Sequence, residues 1–511
     1  MMVSVDPTAF PASSRSCVKD HSFPSRVILV AITALVGLAL RLYHLNFQSV
    51  WYDEIFSLTV SHQPFKRMIC YLVKDIVQPP LHYVLLHLWF DLVGFGPYQA
   101  RFLSVIFGVL AILATYGLSD YLFGHRTAVI AAALISVSQL AVMYSQEARP
   151  YGQLLFLTPC CAYLFIVALR TGSKRTWWFF VFTALLLIYT HYYGFFVLAA
   201  LLLFTIFRWR AYSIPVYRWM AGAAVGLAFY LPWLSSGVIA EWLHSSKGFS
   251  HTPSRPRLPW WSIFSAINTF NNGRPNGVLE SSPWWTFVAG AFLFGLPVLL
   301  AVTALMKKSH ESPSVQLEPE NLVLLLLLWL IPFTAGLAIG FKSGAYNIRY
   351  ITFAAVPYYI LVARGISMLG RVALRTLLAC ACVLYSANAL RANYSVPYKE
   401  DYRGAYEHLA KTRQADDCYV VAPTYEERQA KWAWTIYHEY EPALHFTALG
   451  SITSGQDHCA RAWLISILYR STPPAVNESK EAREKLGESH VRIEGQHYFW
   501  VDLDLYVPKK R

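Results

Sequence analysis

Charge is what this chain has least of. Asp, Glu, Lys and Arg make up 14% of its 511 residues, where a soluble protein of this size carries about 25%. An ordinary water-soluble enzyme is thereby excluded. Cysteine is scarce too, at eight scattered residues, which excludes a disulfide scaffold; no CxxC pair occurs, and Cys380 and Cys382 lie inside an apolar run. No internal repeat is visible, which weakens an inverted-repeat transporter. Residues 1–25 lack an apolar core, and no small-residue cleavage site follows the run that begins at Val27. That run reads as an uncleaved anchor behind a cytoplasmic tail.

What is present is apolar surface, at 55% of residues. Apolar runs recur, many of them roughly 18 to 22 residues long, the length that spans a bilayer as a helix. They are expected at 27–45, 101–121, 127–143, 151–169, 176–190, 192–207, 217–237, 284–306, 321–341, 349–369 and 372–390. Residues 65–72 carry Phe65, Met68, Ile69 and Leu72 at helical spacing, the pattern of a helix lying on the membrane surface. The run 79–93 is barely long enough to span, and the basic residues decide its place. With 79–93 in the interface, eleven spans remain. Arg126, Arg170, Lys174, Arg175, Arg208, Arg210, Arg218, Lys307, Lys308, Arg364, Arg371 and Arg375 then face the cytoplasm. Only Arg149, Lys342 and Arg349 flank the opposite short loops. The positive-inside rule favours this arrangement. The net charge of +13 is therefore read as loop bias, not as nucleic-acid binding.

The expected fold is an all-α polytopic membrane protein of about 11 transmembrane helices, spanning 26–390, with a small α/β domain at 391–511 on the outer face. In that domain short strand-like runs appear at 418–421, 462–468 and 497–507, with helical patterns at 402–412 and 425–437. Cys418 and Cys459 are its only cysteines; a pair and two free thiols are nearly equal readings. The outer-face loops are 46–100 and 238–283. The Asn/Gly-rich stretch Asn268 to Gly277 in the second suggests a mobile loop or lid.

Against nearly charge-free spans, polar clusters converge on one face. The first is Trp51-Tyr52-Asp53-Glu54, just past the first span. A carboxylate in hydrocarbon costs roughly 2.5 to 3.5 kcal/mol, so a pair at this boundary points to substrate or ions; helix capping is the bland alternative. The others are Gln78 to His82, Ser145 to Tyr151 with Glu147 and Arg149, Tyr189 to Gly194 with His191 and Tyr193, and Lys342 to Tyr350 with Arg349. Each has an ordinary explanation: Glu147 and Arg149 pair, the tyrosines form an interfacial belt, and Lys342, Arg349 and Arg101 snorkel. Together they suit group transfer from a lipid-linked donor. Arg forks suit a phosphate at headgroup depth. One carboxylate serves as base on an acceptor hydroxyl, and the phosphate leaves with cationic help.

WYDE at 51–54, QPPLHYVLLHLW at 78–89, RFLSVIFG at 101–108, SQEARPYGQLLFLT at 145–158, YTHYYGFF at 189–196 and RYITFAAVPYYILVARGI at 349–366 resemble the class C, lipid-phosphosugar-dependent glycosyltransferases. That superfamily includes the protein O-mannosyltransferases and aminoarabinose transferases, and the bacterial mannosyltransferase-like branch is the nearest. The resemblance covers about 26–390. It implies an inverting hexosyl- or pentosyltransferase of cell-envelope glycosylation, in a bacterial inner or plasma membrane, with an extracytoplasmic C-terminus. It implies Asp53 as base with Glu54 beside it. Arg149, Lys342 and Arg349 would hold the donor phosphate, with Arg101 as a further candidate, and Glu147, His82, His191, Tyr151, Tyr193 and Tyr350 would line the substrate site. The partners expected are a polyprenyl-phosphate sugar and a glycan, lipid or protein acceptor. No cofactor is expected; a divalent Mg or Mn ion has no motif behind it, and His82, His87 and His191 lack metal-site spacing. Tyr398 to Arg403 resembles a segment that follows the last span in the bacterial branch and receives no chemistry. A transporter or lipid flippase is the alternative, and a binding scaffold a third reading.

Overall fold

The computed structural model describes residues 23–75, 77–209, 211–212, 215–239, 259–260, 262–273, 284–303, 305, 318–343, 347–438, 443–454, 456–457, 459–468 and 473–509. Among the described residues each expected apolar run lies largely on helix. Seven of the described helices are long and apolar enough to cross a membrane, or eight with the bent pair His125–Val137 and Gln139–Ser145. Three further runs fall on Phe23–Leu42, Lys174–Thr190 and Gly194–Phe207. The run at 79–93 becomes Leu81–Val93, a helix of 13 residues, and the amphipathic stretch becomes Phe65–Asp75, which buries Met68 and Leu72.

We label the elements that position the site. They are α1 (Phe23–Leu42), α2 (Tyr52–Ser61), α3 (Phe65–Asp75), α4 (Leu81–Val93), α5 (Pro97–Phe123), α6 (His125–Val137), α7 (Gln139–Ser145), α8 (Tyr151–Thr171), α9 (Lys174–Thr190), α10 (Gly194–Phe207) and α11 (Val216–Trp233). After them come α12 (Ser262–Asn272), α13 (Trp284–Thr303), α14 (Glu318–Ser343), α15 (Ala355–Ser367) and α16 (Val372–Ser395).

The bend of 59° between α6 and α7 brings the 145–150 loop to the site. Breaking a helix frees carbonyls that must find donors. Arg41 of α1 supplies them: its guanidinium donates to Ser136 O at 3.1 Å, Ile135 O at 3.3 Å and Ser145 Oγ at 3.2 Å. Ser138 caps α7 by accepting from Ala141 N at 3.3 Å. Gly108 of α5 lets this knot close, because a Cβ there would strike Ser145 Oγ and the Arg41 side chain.

The bundle has two polar ends. At one, Arg101, Arg149 and Arg349 gather near the starts of α5, α8 and α15. At the other, Arg208 pairs with Glu320 at 3.1 Å, Arg364 pairs with Glu318, and Asn321 donates to Leu122 O at 2.7 Å.

The stretch expected as a mobile loop is partly helix. Asn268 to Asn272 lie buried on α12. Tyr358 Oη donates to Asn271 Oδ1 at 2.6 Å, and Ser386 Oγ to Asn271 O at 3.2 Å. Tertiary hydrogen bonds override the loop preference of Asn. Arg274 to Gly277 lie outside the described residues.

The C-terminal domain carries a four-stranded sheet in the order β1-β2-β4-β3, with β1 (Asp417–Ala422) parallel to β2 (Arg461–Ile467). β3 (His490–Tyr498) and β4 (Val501–Pro508) are antiparallel neighbours. The single strand expected over 497–507 is thus a hairpin, turning at Phe499 and Trp500. Helices α17 (Tyr402–Thr412) and α18 (Glu427–Tyr437) match the helical patterns. Alternation along the strands splits the domain into two layers. Tyr419, Val421, Trp463 and Ile465 join a core shared with Val50, Ile55 and Leu58 beside the bundle. Val420, Leu464, Ala482 and Leu486 form the other layer. Cys418 and Cys459 are disulfide-bonded.

Candidate active site

Helix α2 organises the site. Its N-cap position is Trp51, whose side chain makes no capping bond, and Asp53 lies in its first turn. Asp53 forms an ion pair with Arg349, the two side chains being 18% and 11% exposed. Trp51 and Tyr350 hold the Arg349 guanidinium between them, at 5.2 and 5.3 Å from their ring centroids. Such cation–π contacts contribute about 0.5 to 2 kcal/mol and fix the plane of the fork.

Arg149 comes in from the loop before α8. Its Nη1 donates to Asp53 O at 3.1 Å, Ser57 Oγ at 2.9 Å and Tyr83 Oη at 3.2 Å. Burial disfavours its charge, but Tyr83 and Asp53 outweigh that and raise its pKa, so it stays a cation. Arg349 thus pairs with the Asp53 carboxylate, while Arg149 holds the Asp53 backbone carbonyl.

Glu54 points the other way, into a buried layer. Arg101 grips it with Nε at 2.8 Å and Nη2 at 2.7 Å, Ala148 N donates at 2.9 Å, and Lys399 Nζ lies 3.1 Å away. Burial would push this carboxyl up; Arg101 and Lys399 overcome it and hold it down at about 2. Arg101 spends its remaining donors on Leu45 O, Gln48 O and Ser49 O. The phosphate contact expected of Arg101 is corrected here: at 1% exposure its guanidinium is committed to Glu54 and the 45–49 backbone. Glu54 belongs to the same support layer.

Glu147 completes that layer. Its Oε1 lies 3.0 Å from Lys399 Nζ, and its Oε2 has no hydrogen-bond partner among the described residues. Burial pushes its pKa up against the pull of Lys399, and the Glu54 charge adds to the rise. The pairing of Glu147 with Arg149 that the sequence suggested is replaced by Lys399.

The aromatic rim is contiguous. His191 lies with its ring centroid 5.6 Å from Tyr350 and 6.2 Å from Tyr151, and Tyr193 lies 5.6 Å from Tyr350. The Tyr193 N–H donates to His191 Nδ1 at 3.1 Å. Burial, with Arg149 and Arg349 adding to it, lowers the His191 pKa to about 3, so its ring is neutral. His82 is also neutral, lowered to about 3 by burial and then by Arg149. Its ring lies beside the Ala148 backbone and the Gln153 side chain. The side chain of Lys342 lies outside the described residues.

Asp53, Arg149, Arg349, Tyr151, His191, Tyr193 and Tyr350 thus share one mouth, over a charged layer of Glu54, Arg101, Glu147 and Lys399. Sequence reasoning missed Lys399, Ser57 and Tyr83. For Lys399 the one signal was the segment Tyr398 to Arg403, close behind the last apolar run.

Residues 77–235 match the dolichyl-phosphate-mannose-protein mannosyltransferase family. Among solved structures, the archaeal oligosaccharyltransferase of Archaeoglobus fulgidus, in complex with an inhibitory peptide and a dolichol-phosphate, superposes with a TM-score of 0.54 and 13% identity, over 90% of this chain and 72% of that one. Its apo form gives 0.54 and 14%, over 93% and 70%. ArnT from Cupriavidus metallidurans in the apo state gives 0.47 and 12%, over 94% and 98%. No curated protein sequence matches. The chain has the class C glycosyltransferase fold on a multi-pass membrane bundle, as its motifs led us to expect.

Proposed function

We propose that this chain, built on the class C glycosyltransferase fold, transfers a sugar from a polyprenyl-phosphate donor to an acceptor hydroxyl on the extracytoplasmic side of the membrane, with Asp53 as the base. One observation carries the reading: a partly exposed carboxylate, Asp53, pairs with the guanidinium of Arg349 while that of Arg149 holds its backbone carbonyl, at one end of an apolar bundle.

The chemistry follows from that trio. A donor phosphate competes with Asp53 for Arg349, because a guanidinium fork binds phosphate as well as carboxylate. As Arg349 turns to the phosphate, Asp53 loses its counter-ion and becomes a better proton acceptor. The acceptor oxygen attacks the anomeric carbon and its proton passes to Asp53. The bond from that carbon to the phosphate oxygen breaks, and its electron pair leaves with the polyprenyl phosphate. Arg349 and Arg149 offset the charge that develops there. Attack opposite the leaving group inverts the anomeric centre, and no second carboxylate is needed as acid.

Two apolar grooves support a lipid donor. One of about 480 Å³ is lined by Pro80, Leu81, Val84, Trp178, Tyr189 and Phe229. The other, of about 630 Å³, runs along α9, α10 and α11 from Tyr192 and Leu234 to Trp177 and Trp219. A polyprenyl tail gains about 0.8 kcal/mol per buried methylene in such surroundings. Orientation rests on charge: Arg170, Arg208 and Arg364 crowd the end opposite Asp53, and the positive-inside rule puts that end in the cytoplasm.

The experiment is mass analysis of glycans and lipid-linked sugars in a strain lacking this chain, with and without complementation. Accumulation of a polyprenyl-phosphate sugar and loss of one glycosyl residue are expected. An unchanged glycan and lipid profile would sink the proposal.

A further inference from the structure

The mouth at Asp53 has a second wall that the transfer chemistry leaves unused. It belongs to the C-terminal domain. Helix α18, which follows the turn Thr424–Glu426, packs against α2. Tyr52, the neighbour of Asp53, stands against the Gln429 side chain with Glu426 and Arg428 close by. Arg149, Asp53 and Arg428 all act electrostatically on Asp75. The wall therefore adjoins α2, the helix that carries the base.

Its polar groups are buried but unspent. Glu426 is 5% and Gln429 2% exposed. Glu426 Oε2 and both amide atoms of Gln429 make no hydrogen bond of ordinary geometry among the described residues, although the Tyr52 hydroxyl stands near the Gln429 amide. Buried polar groups are normally paired, and each exception needs an explanation. Residues 426, 429 and 432 follow each other at a spacing of three, which puts them on one helix face. Trp432 extends that face with an aromatic surface, its ring 6.3 Å from Phe56 and 6.0 Å from Tyr71.

We propose that Glu426, Gln429 and Trp432, with Tyr52 opposite, form a recognition subsite for a polyhydroxylated acceptor, a saccharide whose reacting hydroxyl is thereby delivered to Asp53. The inference rests on the reading of Asp53 as base. The residue types fit that class. A carboxylate accepts from hydroxyls, and an amide both donates and accepts, as a hydroxyl does. An aromatic ring covers the C–H face of a pyranose. An amine would donate to the carboxylate and the Gln429 amide oxygen but leave the Gln429 Nε2–H unmet. A purely apolar acceptor would leave all three polar atoms dry.

The test is saturation-transfer NMR on the full chain in detergent, with methyl mannoside, methyl glucoside and methyl galactoside as probes and ethanolamine as the amine control. At least one hexoside gives a signal in the wild type, and its affinity falls at least about tenfold in Glu426→Ala and in Gln429→Leu. Asp53→Asn keeps the binding, since recognition does not need the base. Where an apolar variant does not fold, Glu426→Gln and Gln429→Glu are measured instead, with a smaller fall expected. Signal from ethanolamine alone, or from none of the probes, overturns the saccharide class. Unchanged hexoside affinity in the variants overturns the subsite; if Asp53→Asn still abolishes transfer, the proposed function survives that outcome.

Discussion

Lys399 Nζ lies 3.1 Å from Glu54 Oε2, across 345 residues of sequence. The same ammonium lies 3.0 Å from Glu147. The segment entering the C-terminal domain thus neutralises the layer beneath Asp53 and ties that domain to the bundle. Removing one partner of a buried ion pair costs about 3 to 5 kcal/mol, because the other charge is stranded. Lys399→Met should lower the midpoint of thermal unfolding in detergent by several degrees or more, and Lys399→Arg by less. An unchanged midpoint in Lys399→Met would count against the role.

The two carboxyls of that layer respond to acid in opposite senses. Glu54 is held below its unfolded value, so its stabilisation is complete above about 4.5 and is lost as pH falls toward about 2. Glu147 is pushed up, so its charged form weakens the fold, and protonation as pH falls relieves it. Glu147→Gln should therefore leave stability at pH 7 unchanged or improved. Glu54→Gln should lower it by about 3 to 5 kcal/mol. Chemical unfolding of both variants at pH 7 and pH 4 checks the order; equal losses at pH 7 would contradict it.

Arg149 and Arg349 should both bind donor phosphate. Losing a charge-assisted hydrogen bond costs about 1.5 to 3 kcal/mol, a weakening of roughly ten- to 150-fold. Arg149 also holds α2 through Ser57 and the Asp53 carbonyl, so Arg149→Lys, which keeps the charge and loses the fork, isolates the phosphate contact. Competition by free polyprenyl phosphate measures affinity. Wild-type affinity in both Arg149→Lys and Arg349→Ala would move the phosphate site elsewhere.

The C-terminus should lie outside the cytoplasm, because α16 leads from the end of Arg371 and Arg375 to the Asp53 end. A phosphatase reporter fused after Arg511 should be active and a cytoplasm-dependent reporter silent. The reverse pattern would overturn the orientation.

Much of this fold was legible because bilayer helices announce themselves as apolar runs, and α17 and α18 as clear periodicities. The failures have local causes. The β3–β4 turn falls on Phe499 and Trp500, with Trp500 at a φ of 58°, so none of the usual Gly or Asn marks it. The Asn-rich α12 looked like a loop because the bonds from Tyr358 and Ser386 that hold it are long-range. At the site, Asp53, Arg149 and Arg349 stood out as charges at the ends of apolar runs. Lys399 did not, since its partners lie hundreds of residues upstream. Arg101 was misread because exposed snorkelling and buried pairing leave the same mark in sequence.

The base assignment is tested most directly by Asp53→Asn. Asparagine keeps the shape of the side chain and an oxygen for Arg349, but takes no proton at working pH. The measurement is turnover of purified wild-type and Asp53→Asn protein in liposomes, with a labelled polyprenyl-phosphate sugar and membranes from the deletion strain as the acceptor source. The account predicts a well-folded variant that binds donor nearly as well as the wild type and turns over at least about a hundredfold more slowly. A well-folded Asp53→Asn enzyme with wild-type turnover would contradict it, and Glu147, with its unpartnered oxygen, would become the next candidate base.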